Sequence, residues 1–470
     1  MRPAKFFVII LMGQKHFERI FEEIRINMET KGLLVFPKWL VITPLELPKI
    51  GLGIRVLDDK IDSIASRDEL LKKFPNDEIL EKPEQVLLPG FVDAHTHLYG
   101  ILAHGIPLSK SPSGFMPFLE DFWWPLVENQ LDSTMINAAT DWNCYQMIRS
   151  GVTSFYDCTE APNALPGVLI QQLPVVEKWG IRGTLSFEAT ERISKSNGEL
   201  GLSENVNLIK LSKSRNNLVS GLMCFHTTFT CSETFIKRTF ELAEENNVLT
   251  HMHCSEGHYE PQEMLKRNGL RPIEYYDQIG VLGSGMLVSQ CVQIVQNEIN
   301  LLAARKAKVT HMPLSNCEVG GGIAPLPELV EAGVTVGLGS DGYITDFFEV
   351  MRGAFLIHKA SHCDPRVMPA NLVWHLATAG GADALGLKKV GCIKEGWQAD
   401  LMLVNPKLPT PIEVHNLYDQ LLLYCNANDV DTVMIAGKFR KLDGEVLNAD
   451  SQVLRIEVQK EADRLWKKSA

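Results

Sequence analysis

The middle of this chain alternates short apolar runs with amphipathic stretches, and that alternation constrains the fold more than any other feature. The runs read FVDAHTHL, TSFYDC, RGTLSFEA, GLMCFHTT, VLTHMHCSE, GMLVSQCV, AKVTHMPLSN and VTVGLGSDG. Each is long enough for one strand, and helical patterns separate them at spacings of roughly 30 to 50 residues. Eight strand units divided by helices predict an α/β fold, a parallel (β/α)8 TIM-type barrel. In that architecture chemistry sits at the C-terminal ends of the strands, so the polar residues ending these runs become the candidates.

Two strand-rich stretches flank the alternating middle. LLVFPKWLVI and GIRVLDDKIDSIA precede it; ADLMLVN (399–405) and DTVMIAGKFRKLDGEV (431–446) follow it, with a glycine at each expected turn. They predict a small β-sandwich domain built from residues 28–88 and 395–450 around a barrel of residues 89–394. KEADRLWKKSA closes the chain and predicts an exposed C-terminal helix over 451–470 with a solvated basic face. At the other end MRPAK precedes FFVIILM. That apolar run is about seven residues against the ~20 of a membrane span, and no small-residue cleavage site follows. Residues 1–27 therefore read as an N-terminal extension, with Met28 a candidate initiator.

Composition narrows the partners. A chain of 470 residues, 45% hydrophobic and 22% charged, is that of an ordinary globular protein. Its formal charge of −11 opposes attraction to nucleic acid or anionic lipid, so a small-molecule substrate is expected and neither nucleic acid nor membrane is. A homo-oligomer stays open. The ten cysteines include no C-x-x-C pair, which points to buried free thiols and a cytoplasmic location.

Histidines end several of the runs. His95 and His97 lie two apart, so strand periodicity puts both on one face, either as a shared cation site or as a hydrogen-bonded polar pair. On the fifth run His251 and His253 share a face in the same way. His253 lies nearer the strand's end and is the better metal candidate, with His251 one layer deeper. The eighth run ends in Asp341 after the small residues Gly339 and Ser340, which would let its carboxylate approach the barrel axis. Three imidazoles and one carboxylate form a donor set that leaves a position for water, as hydrolytic Zn2+ sites require; Fe2+ and Mn2+ are alternatives. His226 ends the fourth run and is expected to face substrate. The aromatic loop Leu98–Trp124, Trp123 included, could close over a flat ring or pack on the barrel rim.

PGFVDAHTH, the H-x-x-E of His253 and Glu256, PLSN (313–316) and GLGSDG resemble, in order and spacing, the amidohydrolase superfamily. More narrowly the chain is similar to the branch holding chlorohydrolases, guanine deaminases and adenosylhomocysteine or methylthioadenosine deaminases. Within it the aminohydrolases associated with selenium metabolism are most alike, through HLYGILAHGIP, Trp123–Trp124, GGIAPLPELVEAGVTVGLGSDGYITDFFEVM, DPRVMP (364–369) and LPTPI (408–412). The resemblance spans about Leu33 to Val446. It implies His95, His97, His253 and Asp341 as metal ligands and Glu256 and Asp341 as the proton-handling catalytic pair. Binuclear members bridge their metals with a modified lysine on strand four; GLMCFHTTFTCSE has none, which implies a single divalent metal. The branch carries a histidine after strand six where this chain has Gln290, an amide that can bind substrate but cannot titrate. The implied function is hydrolytic deamination of a purine-like or other nitrogen heterocycle. The alternatives are hydrolysis of another C–N or C–Cl bond, as in a cyclic amide or chlorotriazine, and a metal-binding accessory protein without catalysis.

Overall fold

The computed structural model describes residues 31–215 and 218–469; the extension expected at residues 1–27 lies outside them. Strands β1 (Leu33–Leu40), β2 (Lys49–Ile50), β3 (Leu52–Leu57), β4 (Lys60–Ser66) and β5 (Glu78–Pro89) come first. After a single residue the chain enters β6 (Phe91–Thr96), the first strand of the barrel.

The barrel continues through β7 (Val152–Thr159), β8 (Arg182–Phe187), β9 (Val219–Gly221) and β10 (Met223–Cys224), the last two being halves of one strand broken at Leu222. It runs on through β11 (Thr250–Cys254), β12 (Met286–Gln290), β13 (Lys308–His311) and β14 (Thr335–Leu338). Every pairing within β6-β7-β8-β9 and within β10-β11-β12-β13-β14 is parallel. Two single bridges complete the ring, Ala189 with Phe225 and Thr96 with Asp341, so last strand meets first through Asp341 N–H to His95 O at 3.0 Å. β6 and β7 are buried along their whole length, as strands covered by helices on one face and by the barrel interior on the other must be.

Local chemistry punctuates the units. The helix Ser133–Ser150 starts where the Asp132 carboxylate accepts from Met135 N–H, and it stops at Gly151, whose φ of 96° turns the chain into β7. Gly339 serves a close approach instead. A Cβ there would lie 2.7 Å from His95 O, so only glycine lets β14 lie this close to β6 and bring Asp341 to the histidines.

Strands β15 (Leu401–Val404), β16 (Val430–Ile435), β17 (Lys438–Leu442) and β18 (Glu445–Val446) return to the N-terminal strands. The order β18-β17-β16-β15-β5-β1-β3-β4, with β2 beside β1, makes both chain ends one continuous hydrogen-bonded sheet, joined where β5 and β15 pair antiparallel. It encloses a core of its own that includes Val35, Ile54, Leu87, Leu401 and Met434.

The final helix, Ser451–Ser469, is not the freely exposed element that its charged sequence predicts. Leu465 and Val458 are buried, Trp466 Nε1 donates to Leu102 O at 2.8 Å, and Arg464 pairs with Asp132. A sparse apolar stripe is enough to dock it on the helix Ser133–Ser150. Among the described residues no helix is long and apolar enough to cross a membrane.

Candidate active site

Four side chains from three barrel strands converge at the C-terminal mouth. His97 Nε2 lies 3.2 Å from His253 Nε2, and Asp341 Oδ1 lies 3.4 Å from His97 Nε2 and 3.7 Å from His95 Nε2. His95 Nε2 is fully buried and has no hydrogen-bond partner. One ligand nitrogen from each of His95, His97 and His253 fits within 4.8 Å of the other two. Such crowding of lone pairs, with a carboxylate beside them and a buried nitrogen left orphaned, fits a divalent cation at their centre.

The opposite edge of each imidazole explains the aim. His97 Nδ1 meets Cys158 O at 2.5 Å, His253 Nδ1 meets Glu188 Oε1 at 2.6 Å, and His95 Nδ1 meets His251 Nε2 at 3.2 Å. With each Nδ1–H donated outward, the bare Nε2 atoms face one another, the tautomer a metal requires. His251 does lie one layer deeper, in contact with the thiols of Cys224 and Cys158. Burial holds His95 and His97 below the ordinary imidazole pKa and His253 at about 4, so all three stay neutral near pH 7. Burial alone would raise the Asp341 pKa, but the imidazoles of His95, His97 and His253 around it outweigh that and hold it well below the usual carboxylate range.

Glu256 follows β11 in the turn that Ser255 opens with φ 53°. Burial, then the neighbouring carboxylates of Asp341, Glu188 and Glu260, push its pKa well above 4.5. The two carboxyls of one site are thereby pushed in opposite directions, the pattern of an acid–base pair separated by environment. Both line a cavity of about 440 Å3, within the usual range for small-molecule sites. His226, Gln290 and Trp123 line it as well. His226 uses Nδ1 on Thr230 Oγ1 at 2.9 Å, which leaves Nε2 for the cavity. Trp123 stacks on Phe118 at 5.4 Å, whereas Trp124 turns away under the guanidinium of Arg192 at 4.7 Å.

The amidohydrolase family pattern matches residues 86–440. The chain belongs to the amidohydrolase family. Among its relatives is a 5-methylthioadenosine/S-adenosylhomocysteine deaminase of Pelotomaculum thermopropionicum, 32% identical over 88% of this chain and 93% of that protein. Another is a 5'-deoxyadenosine deaminase of Methanothermobacter thermautotrophicus, 32% identical over 87% of this chain and 94% of that one. The fold matches a zinc-bound adenosine deaminase from Xanthomonas campestris with a TM-score of 0.84, at 24% identity over 93% of this chain and 98% of that one.

An amidohydrolase is a hydrolase of carbon–nitrogen bonds that works with a divalent metal. Seen in that light, the residues that the sequence left unremarked are mainly supports. Glu188 ends the third barrel run, so the rule that polar strand ends carry function already pointed at it; its pairing with His253 did not show. Asn316 stands in the PLSN motif, and its Nδ2 donates to Gln290 Oε1. Asp93 accepts from Ser340 N at 3.0 Å and Ser340 Oγ at 2.6 Å, fixing the turn that presents Asp341. That turn and its neighbour are strained: Asp341, Gln290 and Cys291 adopt φ of 59°, 77° and 51°. Non-glycine residues in this region cost roughly 1–3 kcal/mol each and persist where surrounding bonds over-determine them.

Proposed function

We propose that this amidohydrolase is a hydrolytic deaminase of an adenine-type nucleoside, working with one zinc ion held by His95, His97, His253 and Asp341. The observation that carries the reading is that one cavity joins the convergent histidines to Asp341, whose pKa is held low, and Glu256, whose pKa is pushed up. Relatives matched over nearly their whole length and bearing adenosine-type deaminase names support the adenine ring.

Held by His95, His97, His253 and Asp341, a divalent cation would lower the pKa of a bound water toward ~7 and so make a nucleophile available at neutral pH. Asp341 accepts the proton of the attacking water. Glu256 donates its proton to the ring nitrogen next to the amine-bearing carbon as the water oxygen adds, so no charge accumulates on the ring. The amine then leaves with the proton relayed from Asp341 while the hydroxyl proton on the same carbon passes to Glu256, so that the 6-amino group is exchanged for a 6-oxo group, ammonia is released and both carboxyls are restored. Trp123, backed by Phe118, offers a face to the flat ring, and His226 Nε2 offers a hydrogen bond to its edge.

The test is ammonia release from a panel of purines, pterins, pyrimidines, chlorotriazines and cyclic amides, with products identified by mass spectrometry. Conversion of an adenine nucleoside to its 6-oxo product is expected. Halide or a new carboxylate as the main product, or metal content with no turnover of any compound, would overturn the reading.

A further inference from the structure

The acidic side chains lining the cavity are Glu128, Glu188, Glu256, Glu318 and Asp341. Among the described residues no lysine or arginine lines it. Arg192 lies behind the wall with its guanidinium committed to Glu128 and Glu160, two buried carboxylates sharing one cation. Lys110 is on the loop that bounds the cavity, but it is exposed and does not line the cavity. Two further histidines line the cavity: His226, with Nδ1 on Thr230 Oγ1 at 2.9 Å, and His104, with a ring nitrogen 2.8 Å from Gly342 O.

The metal-side floor is polar, whereas the loop after β6 supplies an apolar mouth: Ile106, Leu108, Phe115, Phe118 and Phe122. Glu318, after β13, lines the same cavity, is exposed, and among the described residues forms no salt bridge with a lysine or arginine, His104 being its neighbouring basic side chain. A substrate whose amine-bearing ring reaches Glu256 must leave its far end among these groups. An anion placed there meets like charge and apolar surface and finds no partner for its hydrogen-bond acceptors.

We infer that this mouth is a tail subsite for uncharged 5'-substituents, so that the enzyme takes adenine nucleosides with a short apolar 5'-group and rejects nucleotides and amino-acid-bearing nucleosides. The inference rests on the deaminase reading and adds to it a choice between chemistries that the relatives' names span, from 5'-deoxyadenosine and methylthioadenosine to the zwitterionic S-adenosylhomocysteine. It places discrimination in the loop after β6 and at Glu318, away from the metal.

The experiment uses the metal-loaded full-length protein at pH 8, where free histidines are neutral. It measures kcat/KM and, separately, calorimetric Kd for 5'-deoxyadenosine, 5'-methylthioadenosine, S-adenosylhomocysteine and AMP. The two neutral nucleosides should agree within about tenfold, with S-adenosylhomocysteine lower by roughly tenfold or more and AMP by roughly 100-fold. Glu318→Lys should raise the AMP to methylthioadenosine ratio by about tenfold. AMP or S-adenosylhomocysteine used as well as methylthioadenosine overturns the subsite while deamination stands. No turnover, but neutral nucleosides bound far more tightly than AMP, overturns deamination while the subsite stands. An unchanged ratio in Glu318→Lys overturns the electrostatic origin of the selection.

Discussion

Gln290 donates its Nε2 hydrogen to Asp341 Oδ2 at 2.9 Å while its Oε1 accepts from Asn316 Nδ2. The carboxylate accepts, so the amide is locked in one orientation and acts as a clamp on Asp341. Gln290→Ala should therefore lower kcat by roughly 10- to 100-fold, the usual cost of removing such a support, while leaving metal content near normal. Gln290→His keeps a donor to Asp341 but loses the acceptor for Asn316. We expect it to impair the best substrate; improved rates both on that substrate and on adenosine- and guanine-type amines would contradict this.

Glu256→Gln should separate binding from chemistry. The amide keeps the shape and cannot give up a proton, so turnover should fall by ~10²- to 10⁴-fold with metal content unchanged. The sign of the pH dependence follows from the raised pKa: the protonated form is the active acid, so wild-type kcat/KM should decline as pH rises through that pKa. Near-wild-type turnover in the variant would remove Glu256 from this role.

Glu188→Gln acts one shell further out. His253 Nδ1–H would lose a charged acceptor at 2.6 Å, and metal affinity should fall by roughly 10- to 100-fold in chelator competition. Unaltered affinity would mean that His253 is aimed by other contacts.

Metal analysis of protein purified without chelator should give one equivalent per chain, and His253→Ala or Asp341→Ala should remove most of it. Two tightly held equivalents would break the inference drawn from a fourth strand without lysine.

Away from the site, Lys441 on β17 is buried, with Nζ on Arg149 O at 2.8 Å and on Ala427 O at 3.3 Å, and burial lowers its pKa from 10.5 to about 8. The unfolded chain then binds more protons than the folded one between pH 8 and 10.5, so this lysine destabilises the fold fully below pH 8 and ceases to as pH climbs to 10.5. That difference corresponds to ~3 kcal/mol. Urea titrations of wild type and Lys441→Met should show the wild type gaining on the variant across that window; a constant gap would sink the idea.

The sequence by itself determined the barrel and most of the site's membership. Period-two spacing put His95 with His97, strand ends marked His253, His226 and Asp341, and small residues before Asp341 foretold the approach that Gly339 allows. These are local properties, carried by a few consecutive residues. Only the tertiary structure decided how the imidazoles are aimed, since Glu188 and His253 lie 65 residues apart and His95 and His251 lie 156 apart. It also decided that the pKa of Glu256 is pushed up while that of Asp341 is held down, because a carboxyl's pKa answers to burial and to charges brought near by folding. That both chain ends share one β domain was legible, but the docking of the last helix and the pairing of β5 with β15 into a single sheet were not: each depends on a partner surface more than 300 residues away, which no local pattern encodes.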